Sequence, residues 1–370
     1  MTSLAYSFFI LSLFFATLLN LVCSQLPDVD EYLFFFGDGL YEVGNTTNII
    51  NPDKYLRTYH APYGTNFFNH SATGRYSDGR IVPDFVAEKV GLKFIASFQS
   101  EDDPYFTNGA SFASEGATAL VNFTGQVELF KEVKEIWREH IKNDTEVYRR
   151  LHKAVYFISI GAQDYINFAA SAWRISEPTF VDRVVNSISD AIKNLYDLGA
   201  WTFAVQNVVK LGSIPYVRQI FNDSKRFREM LSIMAQAHKG VLPEKLEAIK
   251  KNTDKYPEFE YTVFDIYTAM DTMIDVPQDY GFKVVDIACC GNSTYRGQAC
   301  GYLDYEFCVC GNKTEYLFFD GTHNTDAANG QLAELMWDKK YGFVSPYGVK
   351  DFFLNTIAIQ TLLTEAAASG

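Results

Sequence analysis

Short runs rich in β-branched and aromatic residues recur at positions 32–36, 155–160, 202–208 and 259–264. Between them, at 127–140, 180–198 and 227–248, apolar residues fall three and four apart. Strands separated by whole helices cannot close as tight hairpins, so each crossover brings the chain back parallel to the strand before it. The pattern therefore predicts an α/β fold with a parallel central sheet covered on both faces by helices. With 48% hydrophobic and 16% aromatic residues, the chain can bury the large core this arrangement demands. No repeat, low-complexity tract or Pro/Gly/Ser-rich linker interrupts residues 25–370, so one domain is expected there.

In a parallel sheet, ligands gather beyond the carboxyl ends of the strands. Two turns fall at such ends: Gly37-Asp38-Gly39 after the first apolar run, and Gly161-Ala162-Gln163-Asp164 after VYFISI. A third segment, NGASFASEGA (108–117), has the small residues of a loop that lets backbones approach closely. The fourth, FFDGTHNTDAANGQLAEL, places Asp320 and His323 three residues apart, just ahead of a helix that Thr325 or Asp326 could start.

The formal charge of −13 and the pI near 5.0 argue against nucleic acid, which requires clustered Lys and Arg, and no basic run exceeds Lys-Arg-Phe-Arg at Lys225–Arg228. Residues 8–21 form an apolar run of signal-peptide length, and Val22-Cys23-Ser24 supplies small residues before Gln25. No Lys or Arg precedes that run, and a buried N-terminal helix is the competing reading. Residues 1–24 are thus expected to be a signal peptide, with no membrane-spanning segment after its cleavage. Asn45, Asn69, Asn122, Asn143, Asn222, Asn292 and Asn312 each head a glycosylation triplet. Asn45 belongs to the opening motif and is expected to be buried; glycans are expected on several of the other six and not on all of them.

Cys289, Cys290, Cys300, Cys308 and Cys310 lie close together near the C-terminal end. Their spacing admits zinc, but in an oxidising compartment, with no histidine nearby until His323, two disulfides stapling a loop are preferred. An odd thiol is left over, and the connectivity stays open. No metal or cofactor is expected.

An aspartate and a histidine three apart in a turn can hydrogen-bond, which fixes the imidazole tautomer and supports its protonated form. That is the base half of a nucleophilic hydrolase, though alone it is a weak signal. The four blocks taken in order, with TGRYSDGRIVPDFVAEK, LGSIPY and the cysteine loop leading into YLFFDGTH, resemble the plant GDSL esterase/lipase family of SGNH hydrolases. The resemblance covers nearly the whole chain after residue 32, and GAQDYINF and FFDGTHNTDAAN are most similar to the myrosinase-associated and specifier-modifier branch. It implies a three-layer, flavodoxin-like α/β/α sandwich.

The resemblance also implies site roles. Asp320 and His323 match the family's acid and base, and Gly109 matches the block whose glycine N–H donates to the oxyanion. Gly39 stands where the family has its nucleophilic serine, and Gln163 where it has the asparagine of the oxyanion hole. A tight turn with positive φ at Gly39 offers a structural reason for glycine there. Ser77, Ser111, Ser114 and Ser213 are other hydroxyls, none at the end of the first strand. Tyr41, Tyr76 and Tyr165 are candidates to line a vacated cleft.

The expected function is that of a catalytically inactive GDSL-like protein acting by binding or organisation in the secretory pathway. Endoplasmic reticulum or vacuole is the expected compartment, with the cell exterior as the alternative. The branch resemblance implies myrosinase-type β-glucosidases as partners. The competing reading is a slow esterase acting on acyl esters or lipids.

Overall fold

The computed structural model describes residues 30–45, 57–171 and 175–354. Residues 1–24, expected to be a signal peptide, lie outside the described residues. The described residues from 31 onward form one compact unit.

Strands β1 (Leu33–Gly37), β2 (Gly109–Ser111), β3 (Val155–Ser159), β4 (Thr202–Gln206) and β5 (Glu260–Phe264) pair in parallel in the order β2-β1-β3-β4-β5. This is the doubly wound order, with its switch point between β1 and β3. A short β8 (Val344–Ser345) adds to β5 antiparallel, so the sheet is mostly and not wholly parallel. The remaining strands, β6 (Cys290–Gly291) and β7 (Cys308–Val309), make a separate antiparallel pair.

The LFFFG run is buried on both faces, as a central parallel strand must be. Its alternation sorts the aromatic rings into two layers. Phe34 and Phe36 pack on Phe130 of helix α2 (Phe123–Ile141), with ring centroids 5.1 and 6.0 Å away. Phe35 points the other way, toward Phe157 and Tyr41, and the Tyr41 hydroxyl reaches Met336 of the C-terminal helix Asp326–Trp337. On the Phe34 side, α2 packs on α5 (Glu177–Asp197), which packs on α7 (Lys225–Lys251). On the other side, α1 (Val82–Val90) packs on α9, the C-terminal helix. The sheet between two helical layers is the expected α/β/α sandwich.

The expected strands are all present, with ends shifted by one or two residues. Strands β2, β6, β7 and β8 are additions; in β2, three small residues have no periodicity to read, and only pairing with β1 makes them a strand.

The cysteine loop carries two disulfides, Cys289–Cys310 and Cys290–Cys300, and leaves the Cys308 thiol exposed. Cys289 and Cys290 donate their N–H groups to the carbonyls of Phe318 and Phe319, at 2.9 and 2.7 Å. With Tyr63, Tyr76 and Phe319, the bridged sulfurs form a small second core immediately under Asp320.

Phe34 is fully buried, with Phe112, Phe130, Trp137 and Tyr156 around it. Phe34→Ala should cost about 3–5 kcal/mol of folding stability in equilibrium denaturation, because the sheet cannot collapse into the space left.

Candidate functional site

The carboxyl ends of β1, β3 and β4 open onto one cleft. Asp38, Gly39 and Leu40 follow β1, and Ala162, Gln163 and Ile166 follow β3. Val209, Leu211 and Ile214 follow β4. Thr322, His323 and Asn324 enter from the turn before α9, and Glu115 and Gly116 from the loop after β2. The free space is about 50 Å3, room for a few water molecules or a small organic group.

The turn at 320–323 is made by the aspartate itself. Asp320 Oδ1 accepts from the N–H groups of Thr322 and His323, at 2.9 and 2.8 Å, which brings the imidazole back over the carboxylate. His323 Nδ1 then lies 2.8 Å from Asp320 Oδ1. The Tyr63 hydroxyl donates to Asp320 Oδ2 at 2.8 Å, and the Arg57 guanidinium stands 3.5 Å from the same oxygen. Thr325 starts α9 by accepting the Ala328 N–H, as its position in the sequence suggested.

The other ring nitrogen is not open to the cleft. His323 Nε2 donates to Glu115 Oε2 at 2.9 Å, while the second Glu115 oxygen lies 3.8 Å from Arg57. The imidazole is thus held between two carboxylates, and the Tyr76 ring stacks on it with centroids 4.6 Å apart. Burial alone would discharge the ring. The Asp320 and Glu115 carboxylates outweigh that and push its pKa up to about 10. Burial would likewise raise both acids, but His323 and Arg57 hold Asp320 and Glu115 below the usual carboxylate range. Asp38 differs: burial, only partly offset by the Leu40 N–H, pushes it up to about 7, with the Glu115 charge adding to the rise.

Gly39 faces this pair. A Cβ built there would lie 2.0 Å from Glu115 Oε2 and 2.4 Å from His323 Nε2. The reason for glycine is space and not backbone conformation, since the positive φ of this turn belongs to Gly37, where β1 and β3 crowd together.

A family model described as GDSL-like lipase/acylhydrolase matches residues 33–336. The chain belongs to that family. GDSL esterase/lipase 1 of Arabidopsis thaliana is 34% identical over 352 residues, covering 90% of this chain and 91% of the relative. A GDSL lipase of Tanacetum cinerariifolium is 34% identical over 330 residues, 87% of each. "Inactive GDSL esterase/lipase-like protein 25" of A. thaliana is 31% identical over 342 residues, covering 90% of this chain and 77% of the relative.

Within this GDSL-family chain, the expected site residues divide. His323 and Gly39 line the cleft side by side, with Asp320 fully buried behind the imidazole. Gln163 lines the cleft, but its amide donates to Asn167 Oδ1, 2.7 Å away on its own helix. Gly109 is not there. It pairs with Leu33 at the amino end of β1, its N–H donates to Phe106 O, and a Cβ would strike the Leu33 carbonyl. Its glycine serves close strand approach at the wrong end of the sheet for an oxyanion.

None of Ser77, Ser111, Ser114 and Ser213 lines the cleft. Tyr41 and Tyr165 are core residues bonded to Gln206 and His238, and Tyr76 lies behind His323. Asn45 is buried and donates to the carbonyls of Ser111 and Ala113, so it is held structurally. Three partners of the dyad went unread in the sequence: Glu115, Arg57 and Tyr63. Only Glu115 left a trace, as the single charge among the small residues of NGASFASEGA.

His323 binds its proton more tightly folded than unfolded. Its contribution to stability is complete below about pH 6.5 and is lost as pH rises through about 10. Stability measured by urea denaturation should fall between pH 7 and 10, by up to about 1.4 kcal/mol per unit for one proton. The slope should be smaller in His323→Gln.

Proposed function

We propose that this protein has no serine-esterase activity and works by binding other proteins in the secretory pathway. One observation carries the reading. The residue facing His323 has no hydroxyl, and the Glu115 carboxylate fills the space where a nucleophile would stand. A histidine kept protonated by two carboxylates has no lone pair with which to take a proton from serine or water. Relatives named as inactive GDSL-like proteins support this reading.

Residues 1–24 would act as the signal peptide of a single domain spanning 25–370. Asn69, Asn122, Asn143, Asn222 and Asn312 are exposed, which suits several of them as glycan sites, while Asn292 is half-buried. Endoplasmic reticulum or vacuole is the proposed compartment, and myrosinase-type β-glucosidases are the proposed partners. Capture of the tagged protein from plant tissue under native conditions tests that choice; recovery without any glycosidase removes it. The alternative, slow ester hydrolysis, is favoured by the relatives named as esterases and lipases.

Chromogenic short-chain esters separate the two. The purified protein should give no turnover that His323→Ala abolishes, and no labelling by a fluorophosphonate. Gly39→Ser alone should stay silent, because its side chain meets Glu115. Gly39→Ser with Glu115→Gly and Gln163→Asn should exceed that single variant by on the order of 10²-fold, as the imidazole is freed to act as a base. Turnover by the unmodified chain that depends on His323 would overturn the proposal.

A further inference from the structure

Without a serine, the cleft still holds a nucleophile. We propose that Glu115 attacks a small apolar epoxide from the seat left open at Gly39, with Asp38 as proton donor and the His323–Asp320 pair hydrolysing the resulting ester. The product is a vicinal diol.

Three observations support this. Glu115 Oε2 lies 2.9 Å from His323 Nε2 and within 2.0 Å of the point where a side chain at position 39 would begin. It therefore occupies the nucleophile's place in front of an intact acid–base dyad. Second, two carboxyl groups line one cleft with their proton affinities pushed apart: Glu115 stays ionised, and Asp38, raised to about 7, holds a proton over much of the range below neutrality. Such a split assigns one group as anion and the other as acid. Third, Leu40, Ile166, Val209, Leu211, Ile214 and Phe318 make the walls apolar, and the space admits only a small group.

Chemistry then selects the electrophile. A carboxylate adding to an ester carbonyl must expel an alkoxide, a far poorer leaving group than itself, so the adduct collapses backward. Opening a strained three-membered ether runs forward and asks only for a proton on the departing oxygen.

In the first step Glu115 Oε2 forms a bond to a ring carbon, the C–O bond breaks toward oxygen, and that oxygen takes the Asp38 proton. Glu115 is now a neutral hydroxyalkyl ester, and the loss of its charge lowers the pKa of His323. The imidazolium returns a proton to Asp38 through water, and the neutral ring then accepts a proton from a second water as its oxygen adds to the Glu115 carbonyl. Collapse of that adduct breaks the ester bond, passes the adduct's hydroxyl proton to the alkoxide, and restores the carboxylate and the imidazolium. The sum is epoxide plus water giving diol.

This goes beyond the binding role above and shares with it only the absence of serine chemistry. The full, disulfide-bonded protein is incubated with 1,2-epoxybutane, diol is measured by gas chromatography, and peptides are mapped by mass spectrometry. Diol should form and fall by on the order of 10²-fold or more in Glu115→Gln. One epoxide should accumulate on the Glu115 peptide in His323→Gln, or in unmodified protein quenched early should that variant not fold. A single turnover in H2(18)O should place the label in Glu115 and not in the diol. No diol and no adduct, or a diol that takes its oxygen directly from water, overturns the proposal. Absence of diol and adduct, with ester turnover also absent, would sink this proposal and leave the binding reading standing.

Discussion

A charged imidazole sandwiched between two carboxylates is the interaction on which this site depends. Burying an ion in a protein interior costs several kcal/mol unless partners repay it, and here the repayment is mutual. Asp320 and Glu115 face His323 and Arg57, so two negative and two positive groups balance in a space that admits little water. Tyr63 satisfies the remaining Asp320 oxygen. Removal of any one member would leave an unpaired buried charge, which ties the helix after His323, the loop after β2 and the Arg57 turn to one another.

The same pairing decides what chemistry is open. A dyad built to take a proton needs an imidazole near neutrality. Glu115 and Asp320 together hold that imidazole in its protonated form, so the Asp-x-x-His turn alone does not decide whether the site can act as a base. Family membership supplies the frame in which this change is visible, and among relatives of similar identity some are named as lipases and others as inactive.

The cysteine loop extends the site's support outward. Its two bridges pack against Tyr63 and Phe319, and its backbone is stitched to the two residues just before Asp320. The loop thus holds the acid from behind, while the doubly wound sheet brings the ends of β1 and β3 together at their switch point in front.

Much of this was legible from residue order. Strand and helix periodicity determined the α/β sandwich because a buried parallel strand must be apolar on both faces, as LFFFG is. The odd cysteine and a helix start at Thr325 or Asp326 followed from local chemistry that needs only near neighbours, whereas Asn45 is held by carbonyls 66 and 68 positions away. The placement of Gly109, the reason for Gly39 and the identity of the dyad's partners were decided by tertiary structure alone. Glu115 lies 208 positions from His323, and Arg57 and Tyr63 more than that from Asp320. Pairings across such separations leave no period in a sequence, and whether a carboxylate serves as solvated surface or as the lid on an imidazole is settled only when the sheet brings the two together.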